Sequence, residues 1–509
     1  MKRICTLLLA AGMLLGAATG ASAIDFKAKG QWLVGFGVAE TNPIYKHREG
    51  NVKTKNTSDQ FGAQQRVRLQ LDAVASEALS GTVFFEIGNQ TWGKADQGGA
   101  LGADGTNVIK VKRAYIDWAV PDTDLKFRMG IQGVALPNKA GGSAIMDTDA
   151  AAVTASYQFN ENVGLTALWA RPANDNFDGV DPRYTNNHAN YLDNMDLFAL
   201  MVPVKLDGFE ITPWAMYGMQ GKNTLATPFT TKDGDLNYSL YPYPGIAGRD
   251  NIGGTSKAYG SMFWAGLPFA ITAWDPLNIE VDINYGYVES MGRFDAYKGP
   301  MDPANFKRGS TERQGWLAKA LVEYKMDWGV PGIFGWYGSG DDGNVKNGSE
   351  RMPSIVPMGN FTSFLGDGNY GWMYTDFAVD YSGTWGLGLQ IRDMSFVEDL
   401  KHTFRVAYWG GTNSTAMVKY MNNASSWADG YNTDVNGPYL TTNDGLLEFN
   451  LVNSYQMYEN FDVNLELGYI VNMMDKDTWE KDGYYGGAGN GAFEKQDAWK
   501  AQLVFAYTF

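Results

Sequence analysis

The sequence predicts an all-β chain closed into a transmembrane antiparallel β-barrel of about eighteen strands (sixteen being the other possible count). Three observations carry this. Hydrophobicity alternates with period two through many segments of about ten residues. The amino terminus reads as an export leader, yet no later stretch of eighteen apolar residues could cross a membrane as a helix. Short and long connections alternate along the whole chain, as barrels with short periplasmic turns and long external loops require.

The final strand shows the pattern most clearly. Trp499, Ala501, Leu503, Phe505, Tyr507 and Phe509 share one face, and Lys500, Gln502, Val504, Ala506 and Thr508 share the other. Aromatics at both ends of an apolar face suit a strand with lipid on one side and water on the other. A half-buried edge strand of a soluble sheet is the alternative for this segment alone.

At the other end, Lys2 and Arg3 precede the apolar stretch Ile4 to Ala18, and Ala21-Ser22-Ala23 is a small-x-small cleavage site. Residues 1–23 are therefore a predicted signal peptide, and 24–509 a single barrel domain. Cys5, the only cysteine, lies in the leader, which leaves no thiol for a disulfide, a metal site or a nucleophile. The 28 Tyr, 26 Phe, 16 Trp and 61 Gly exceed ordinary soluble usage and suit aromatic girdles and Gly-rich loops. Mean hydropathy of −0.29 fits a thin apolar band diluted by polar loops. The net charge of −15, or −17 once Lys2 and Arg3 are removed, argues against nucleic acid as a partner.

Taken in order, strand one spans Phe26 to Val38, with Lys27, Lys29 and Gln31 opposite its apolar face. Strand two, Phe61 to Ala75, sets Val67, Leu69 and Leu71 against Gln64, Arg66, Arg68, Gln70 and Asp72. Strands three to five follow at Thr82 to Trp92, Val108 to Ala119 and Leu125 to Ile131. Short turns then fall near 160–162, 206–208, 274–277, 327–330, 397–401 and 458–460. Long polar loops fall at 172–192, 220–258, 291–313, 339–370, 411–443 and 475–493. The count is least secure over 331–396. Pro203, Pro213 and Pro268 lie inside predicted strands, where each must sit at a rim or bulge.

With the apolar face outward, the inward set is charged. Arg66, Arg68, Arg113, Lys126 and Arg128 come from strands two, four and five; Glu280 and Asp282 from strand eleven; Glu466 from strand seventeen; Arg392 and Arg405 from strands fourteen and fifteen. Charges of both signs on one face are costly in a packed core and cheap in enclosed water, so the barrel reads as a channel. The connection Gly133 to Asp149 is less polar than the other long ones and carries Pro137 and Gly141-Gly142. Folded inward, it would narrow the pore and set Asp147 and Asp149 across from the basic wall, a transverse field that favours small hydrated solutes. An ordinary external loop is the alternative.

No catalytic chemistry emerges. His47, His188 and His402 are scattered, and neither HExxH nor G-x-S-x-G occurs. Gly338 to Gly343 matches G-x-G-x-x-G only literally, and the calcium-like run at 174–179 has Thr185 where the bidentate Glu belongs. No cofactor and no metal are expected.

The leader, the terminal Phe509, the strand Lys112-Arg-Ala-Tyr-Ile-Asp-Trp118 and the Leu-Pro-containing loop at 133–149 together carry a likeness over the whole length. The chain resembles the outer-membrane homotrimeric porins of sulfate-reducing bacteria, and general porins in its inward third loop. That resemblance implies a homotrimer in the outer membrane of a Gram-negative bacterium, in contact with outer-membrane lipid and passing small hydrophilic solutes and ions by passive diffusion. It also implies Arg66, Arg68, Arg113 and Arg128 on the basic side of the pore, and Asp147 and Asp149 on the loop side. General porins usually have sixteen strands, a departure from the count here. A substrate-selective channel for sugars or organic acids would need inward aromatics, with Tyr115, Trp214 and Trp409 as candidates. A surface β-structural or binding protein is the remaining alternative.

Overall fold

The computed structural model describes residues 24–40, 44–45, 48–49, 52–53, 60–102, 109–174, 192, 194–222, 224, 257–297, 306–364, 380–420, 439–482, 494–495 and 497–509. The predicted leader, His47, His188 and nearly all of the calcium-like run lie outside them. One antiparallel sheet of 21 segments closes on itself; three pairs of segments are single strands interrupted by proline, which leaves eighteen strands. In chain order these are β1 (Asp25–Glu40), β2 (Gln60–Ser76), β3 (Leu79–Thr91), β4 (Ile109–Ala119), β5 (Leu125–Ala135), β6 (Asp147–Gln158) and β7 (Gly164–Ala173). Next come β8 (Met195–Met201 and Val204–Leu206), β9 (Phe209–Ile211 and Trp214–Gly221), β10 (Tyr259–Gly266 and Phe269–Ile271), β11 (Leu277–Val288), β12 (Arg313–Tyr324) and β13 (Val330–Gly338). The last are β14 (Thr384–Val397), β15 (Leu400–Gly411), β16 (Gly445–Tyr458), β17 (Phe461–Asn472) and β18 (Ala498–Thr508).

Closure comes from β1 against β18, from Gln31 opposite Thr508 to Glu40 opposite Trp499. Beyond that ladder Gly30 and Phe509 exchange backbone bonds of 2.7 and 3.0 Å. Every strand is hydrogen-bonded on both sides, so the sheet has no free edge. The register puts Trp32, Ile116, Phe198, Ile283, Ile333, Leu389, Leu467 and Tyr507 outward, each more than a third exposed. Their sequence neighbours point inward, as the period-two pattern predicts.

The three prolines sit at aligned interruptions of neighbouring strands. Pro203, Pro213 and Pro268 lack a donor, yet each still accepts: Gly164 N donates to Pro203 O, Val202 N to Pro213 O and Thr212 N to Pro268 O, all at 3.0 Å. The sheet thus loses donors along one seam without losing its neighbours.

Part of the interior is packed. Met262, Trp264, Leu317, Phe334, Trp336, Trp409, Leu446 and Ile470 point inward and are buried against residues 134–146 and 352–364 of two connections. The sequence reading expected the connection at 133–149 to fold inward, but listed 339–370 among the long polar loops, and part of that stretch fills the interior too. The connections bring their own carbonyls, amides and rings, and those satisfy the wall that water would otherwise wet.

The seal at β1–β18 is tight. A Cβ on Gly30 would lie 2.6 Å from both the Arg68 carbonyl oxygen and the Phe509 ring, whereas one on Gly81 meets nothing nearer than 4.0 Å. Gly30→Ala is expected to destabilise the folded barrel by about 1–3 kcal/mol, and Gly81→Ala by less than about 0.5 kcal/mol. Thermal melts in detergent would distinguish them, and equal melting of the two variants would contradict this account of the seam.

Candidate functional site: the barrel interior

The β5–β6 connection crosses into the lumen and is anchored on the far wall. Asp282 of β11 accepts from Lys139 N at 3.0 Å and Ala140 N at 2.7 Å. Lys319 of β12 lies 3.5 Å from the same carboxylate and donates to Gly142 O. Tyr381 OH donates to Gly141 O at 2.5 Å, and Lys139 Nζ reaches Glu210 of β9 at 2.5 Å. Gly141 and Gly142 have φ of +65° and +81°. A Cβ on either would strike the Phe361 ring or the Met358 carbonyl, so the tip needs glycine for conformation and for space.

The β13–β14 connection folds inward beside it. Ile355 N and Val356 N donate to Ile145 O, Met358 N to Ser143 O and Asn360 N to Gly141 O, at 2.8 to 3.1 Å. Phe361 stacks on Phe334 with centroids 4.9 Å apart and lies 5.9 Å from Trp336. The strap ends on β16 and β18. There Thr362 Oγ1 donates to Glu448 at 2.9 Å, Ser363 N to Asn450 at 3.0 Å, and Lys500 Nζ to Ser363 O at 2.7 Å. Lys500 also pairs with Glu466 at 2.6 Å, both side chains at 0% exposure.

The wall from β2 to β7 is different. Arg68 pairs with Glu86 at 2.9 Å, Arg113 and Lys112 both pair with Asp149 at 2.6 Å, and Arg128 grips Asp117 through two bonds of 2.7 and 3.0 Å. The Arg68, Arg113 and Arg128 side chains remain 29%, 39% and 42% exposed. Arg128 also covers the Tyr115 ring at 4.2 Å. Below the β5–β6 connection, a cavity of about 380 Å³ is lined by Lys126, Arg128, Asp117, Gln132, Ser156, Thr166, Leu168 and Met201. Cations, carboxylates, hydroxyls and an apolar floor share one niche.

The sequence-derived residues therefore divide. Arg68, Arg113, Lys126 and Arg128 line the accessible side, while Arg66 is 6% exposed beside Arg68 and Glu86. Glu280 is half-buried, holding Asn278 Nδ2 at 3.0 Å. Asp282 and Glu466 are enclosed and are not wet lining: Asp282 anchors the β5–β6 connection, and Glu466 is the counter-ion of Lys500, which holds the second strap. Asp147 is exposed, with its N–H on Val356 O at 2.9 Å. Asp149 touches Lys112 and Arg113 directly, so the two signs meet as a clamp instead of facing one another across a gap. Arg392 pairs with Glu323 and remains 39% exposed, and Arg405 donates to Gln390 at 3.1 Å.

Sequence reasoning named Trp214 and Trp409 only as candidate inward aromatics and missed Trp264 and Trp336; all four point inward and are buried. Adjacent aromatics such as Phe263-Trp264 and Trp336-Tyr337 were the available signal, since period two places one of each pair inside. Among the described residues no cluster of His, Cys, Asp or Glu could hold a metal ion.

At the base of the second strap, Asp342 N donates to Glu350 Oε2 at 3.0 Å and Asn347 Nδ2 to Oε1 at 2.9 Å. Burial, with Asp341 and Asp342 beside it, pushes the Glu350 carboxyl up to about 7.

No family model matches the chain, and no curated protein sequence matches it. Solved structures do resemble it. OpdQ of Pseudomonas aeruginosa is 11% identical with a TM-score of 0.47, the likeness covering 95% of this chain and 98% of that one. A BenF-like porin from Pseudomonas fluorescens Pf-5 is 10% identical at 0.48, with the same coverage. OccK2 (OpdF) of P. aeruginosa, in complex with glucuronate, is 11% identical at 0.47, again over 95% and 98%. The closed ladder of this chain, and not these distant likenesses, defines its fold.

Two outcomes are expected. Asp282→Asn leaves Lys319 buried without its counter-ion, a loss of roughly 3–5 kcal/mol for such pairs, and residues 136–146 should become accessible to hydrogen exchange. Unchanged protection there would refute the anchor. The Glu350 carboxyl binds its proton more tightly in the folded chain than its ordinary 4.5 allows. Its contribution is therefore most favourable below about pH 4.5 and is lost as pH rises through about 7. Exchange at 341–350 should quicken between pH 5.5 and 8 beyond the intrinsic chemical rate, and Glu350→Gln should remove that excess.

Proposed function

We propose that the chain is an outer-membrane porin of a Gram-negative bacterium, passing small hydrophilic solutes and ions by passive diffusion. The observation that carries this reading is the asymmetry of the interior. Inward Arg68, Arg113 and Arg128 keep 29% to 42% of their side-chain surface, while Lys319, Arg313 and Lys500 keep 0%. Water therefore runs beside the straps, along β2 to β7. Lys126 and Glu280 add to its charged lining, with Asp117 and Glu86 as counter-charges, while Arg66 is buried behind it and Asp147 shares the outward face of Ile131 and Ala151. The leader, the outward apolar belt and the closed sheet are what an exported barrel of this kind needs.

The sequence resemblance to homotrimeric porins of sulfate-reducing bacteria is consistent with this reading and supplies the trimer as a further part of the proposal. A channel selective for sugars would place aromatic faces along the solute path. Trp214, Trp264, Trp336 and Trp409 are instead sealed behind the straps, which favours general diffusion. Nothing in the lining calls for a catalytic step.

Planar-bilayer recording of the purified protein is the direct test. Discrete conductance steps are expected. Arg128→Ala leaves Asp117 unpaired in the passage, so the reversal potential under a salt gradient should move toward cation preference. Lys500→Met, on the sealed side, should leave that potential where it was. A protein that inserts without conducting, or a selectivity that follows Lys500 and not Arg128, would overturn the proposal.

A further inference from the structure

The niche beneath the β5–β6 connection carries more fixed polar groups than the passage of ions needs. Its wall comes from β4 to β8, and Val134 and Ala135 line it where β5 runs into the connection. Arg128 is held in place there by the wall itself. Its guanidinium donates to Asp117 through bonds of 2.7 and 3.0 Å and lies 4.2 Å from the centre of the Tyr115 ring. Those bonds use Nε and one N–H of Nη2, which leaves the Nη1 edge able to donate. Each Asp117 oxygen takes one of the two bonds and can still accept another.

The next two strands add hydroxyls. Ser156 Oγ of β6 and Thr166 Oγ1 of β7 lie 3.1 Å apart. One O–H is spent between them, so the pair keeps a second O–H and lone pairs on both oxygens. Leu168 and Met201 continue the same wall as an apolar floor. Lys126 stands opposite Ser156 in the β5–β6 ladder, and it is exposed, so its long stem carries the ammonium into water.

This set of groups suits no simple ion. An anion that reaches the Arg128 edge also meets the Asp117 carboxylate, and a cation that reaches Asp117 also meets Arg128 and Lys126. What the pair offers is a donor and an acceptor side by side, with the hydroxyls supplying both again on the neighbouring strands. Adjacent hydroxyl groups on a carbon skeleton each donate and accept, which matches that alternation. Their C–H face would lie on Leu168 and Met201, the mix of apolar surface and few placed polar groups that small-molecule sites show. The size matches too. At ~30 Å³ for a water, the 380 Å³ cavity has room for about a dozen non-hydrogen atoms, as in one six-carbon sugar.

We infer that this niche binds a neutral polyhydroxylated solute of about six carbons. This rests on the barrel being the water-filled channel proposed above, and it names one class of solute that the channel holds in transit. The solute lodges beside the passage and is not sorted by it, since the inward tryptophans are sealed behind the straps.

Single-channel recording with glucose, gluconate and glucosamine, three solutes of one size and different charge, tests the inference. Glucose should interrupt the current with a saturating dependence on concentration, and the two charged analogues should need higher concentrations. Ser156→Ala combined with Thr166→Val removes the hydroxyl pair and spares Arg128 and Asp117. It should raise the half-blocking glucose concentration about tenfold, the loss of roughly two hydrogen bonds. The folded state of the variant is checked by its heat-shifted mobility, and the three-solute comparison on the wild type stands without it. Saturation-transfer NMR of glucose with the protein in detergent reads occupancy where no current is involved. Gluconate acting at lower concentration than glucose would make the niche an anion site and overturn the inference. So would a glucose effect that fails to saturate, or none in either measurement. A conducting channel indifferent to glucose loses this inference alone, whereas glucose binding without any current loses the channel reading.

Discussion

The constraint on which this structure depends is that hydrocarbon cannot hydrogen-bond. A strand crossing it must pair on both sides, which forces the sheet to close, as β1 does on β18. The same constraint explains how prolines are tolerated in β8 to β10. Each occupies an interruption where its missing donor breaks one bond, while its carbonyl still serves the neighbouring strand.

Closure with eighteen strands creates a second problem, because the enclosed space is wider than side chains from the wall can fill. Here two connections fill it. They arrive as backbone with amides and carbonyls to satisfy, and the wall supplies buried ions at the points of arrival. Asp282 takes two N–H groups, Glu448 takes one N–H and one hydroxyl, and Lys319 and Lys500 each take a carbonyl. A buried ion is weak evidence for stability by itself. As a complement fixed on the wall to a particular stretch of backbone, it helps to specify where that stretch docks.

Period two made the fold legible in the sequence. It placed the inward and outward residues of β1, β2, β11, β17 and β18 correctly, and the alternation of connection lengths ordered the strands between. The interior was legible only as a list of charges, because a carboxylate that holds a loop and one that faces water look alike on a strand. Asp282 and Glu280 are two residues apart on the same face, yet one is enclosed and the other is not. What separates them is the arrival of Lys139 and Ala140 from 142 or more residues away. No local pattern encodes that distance. The Gly141-Gly142 pair and the apolar content of 133–149 did mark the loop that folds in, since apolar residues in a connection must find cover. The second strap carried no such mark until Phe361 and Phe364 were seen against β13 and β18.

Enclosed and wet charges also differ in what they can do. Exposed pairs such as Arg128–Asp117 are worth about 0–1 kcal/mol each, too little to explain the fold, and salt screens them. Enclosed pairs such as Lys500–Glu466 are screened far less. The barrel thus separates two tasks around its circumference. From β11 to β18 most inward charge, Arg392 and Glu280 excepted, is buried and spent on position. From β2 to β7 it remains available to passing ions, and there its pairing matters as much as its sign. A bidentate arginine–aspartate pair presents a dipole, not a net charge, so in the proposed channel the lining would order hydrated solutes without trapping either sign. That is the condition that diffusion through a charged passage would require: attraction enough to enter, and not enough to stay.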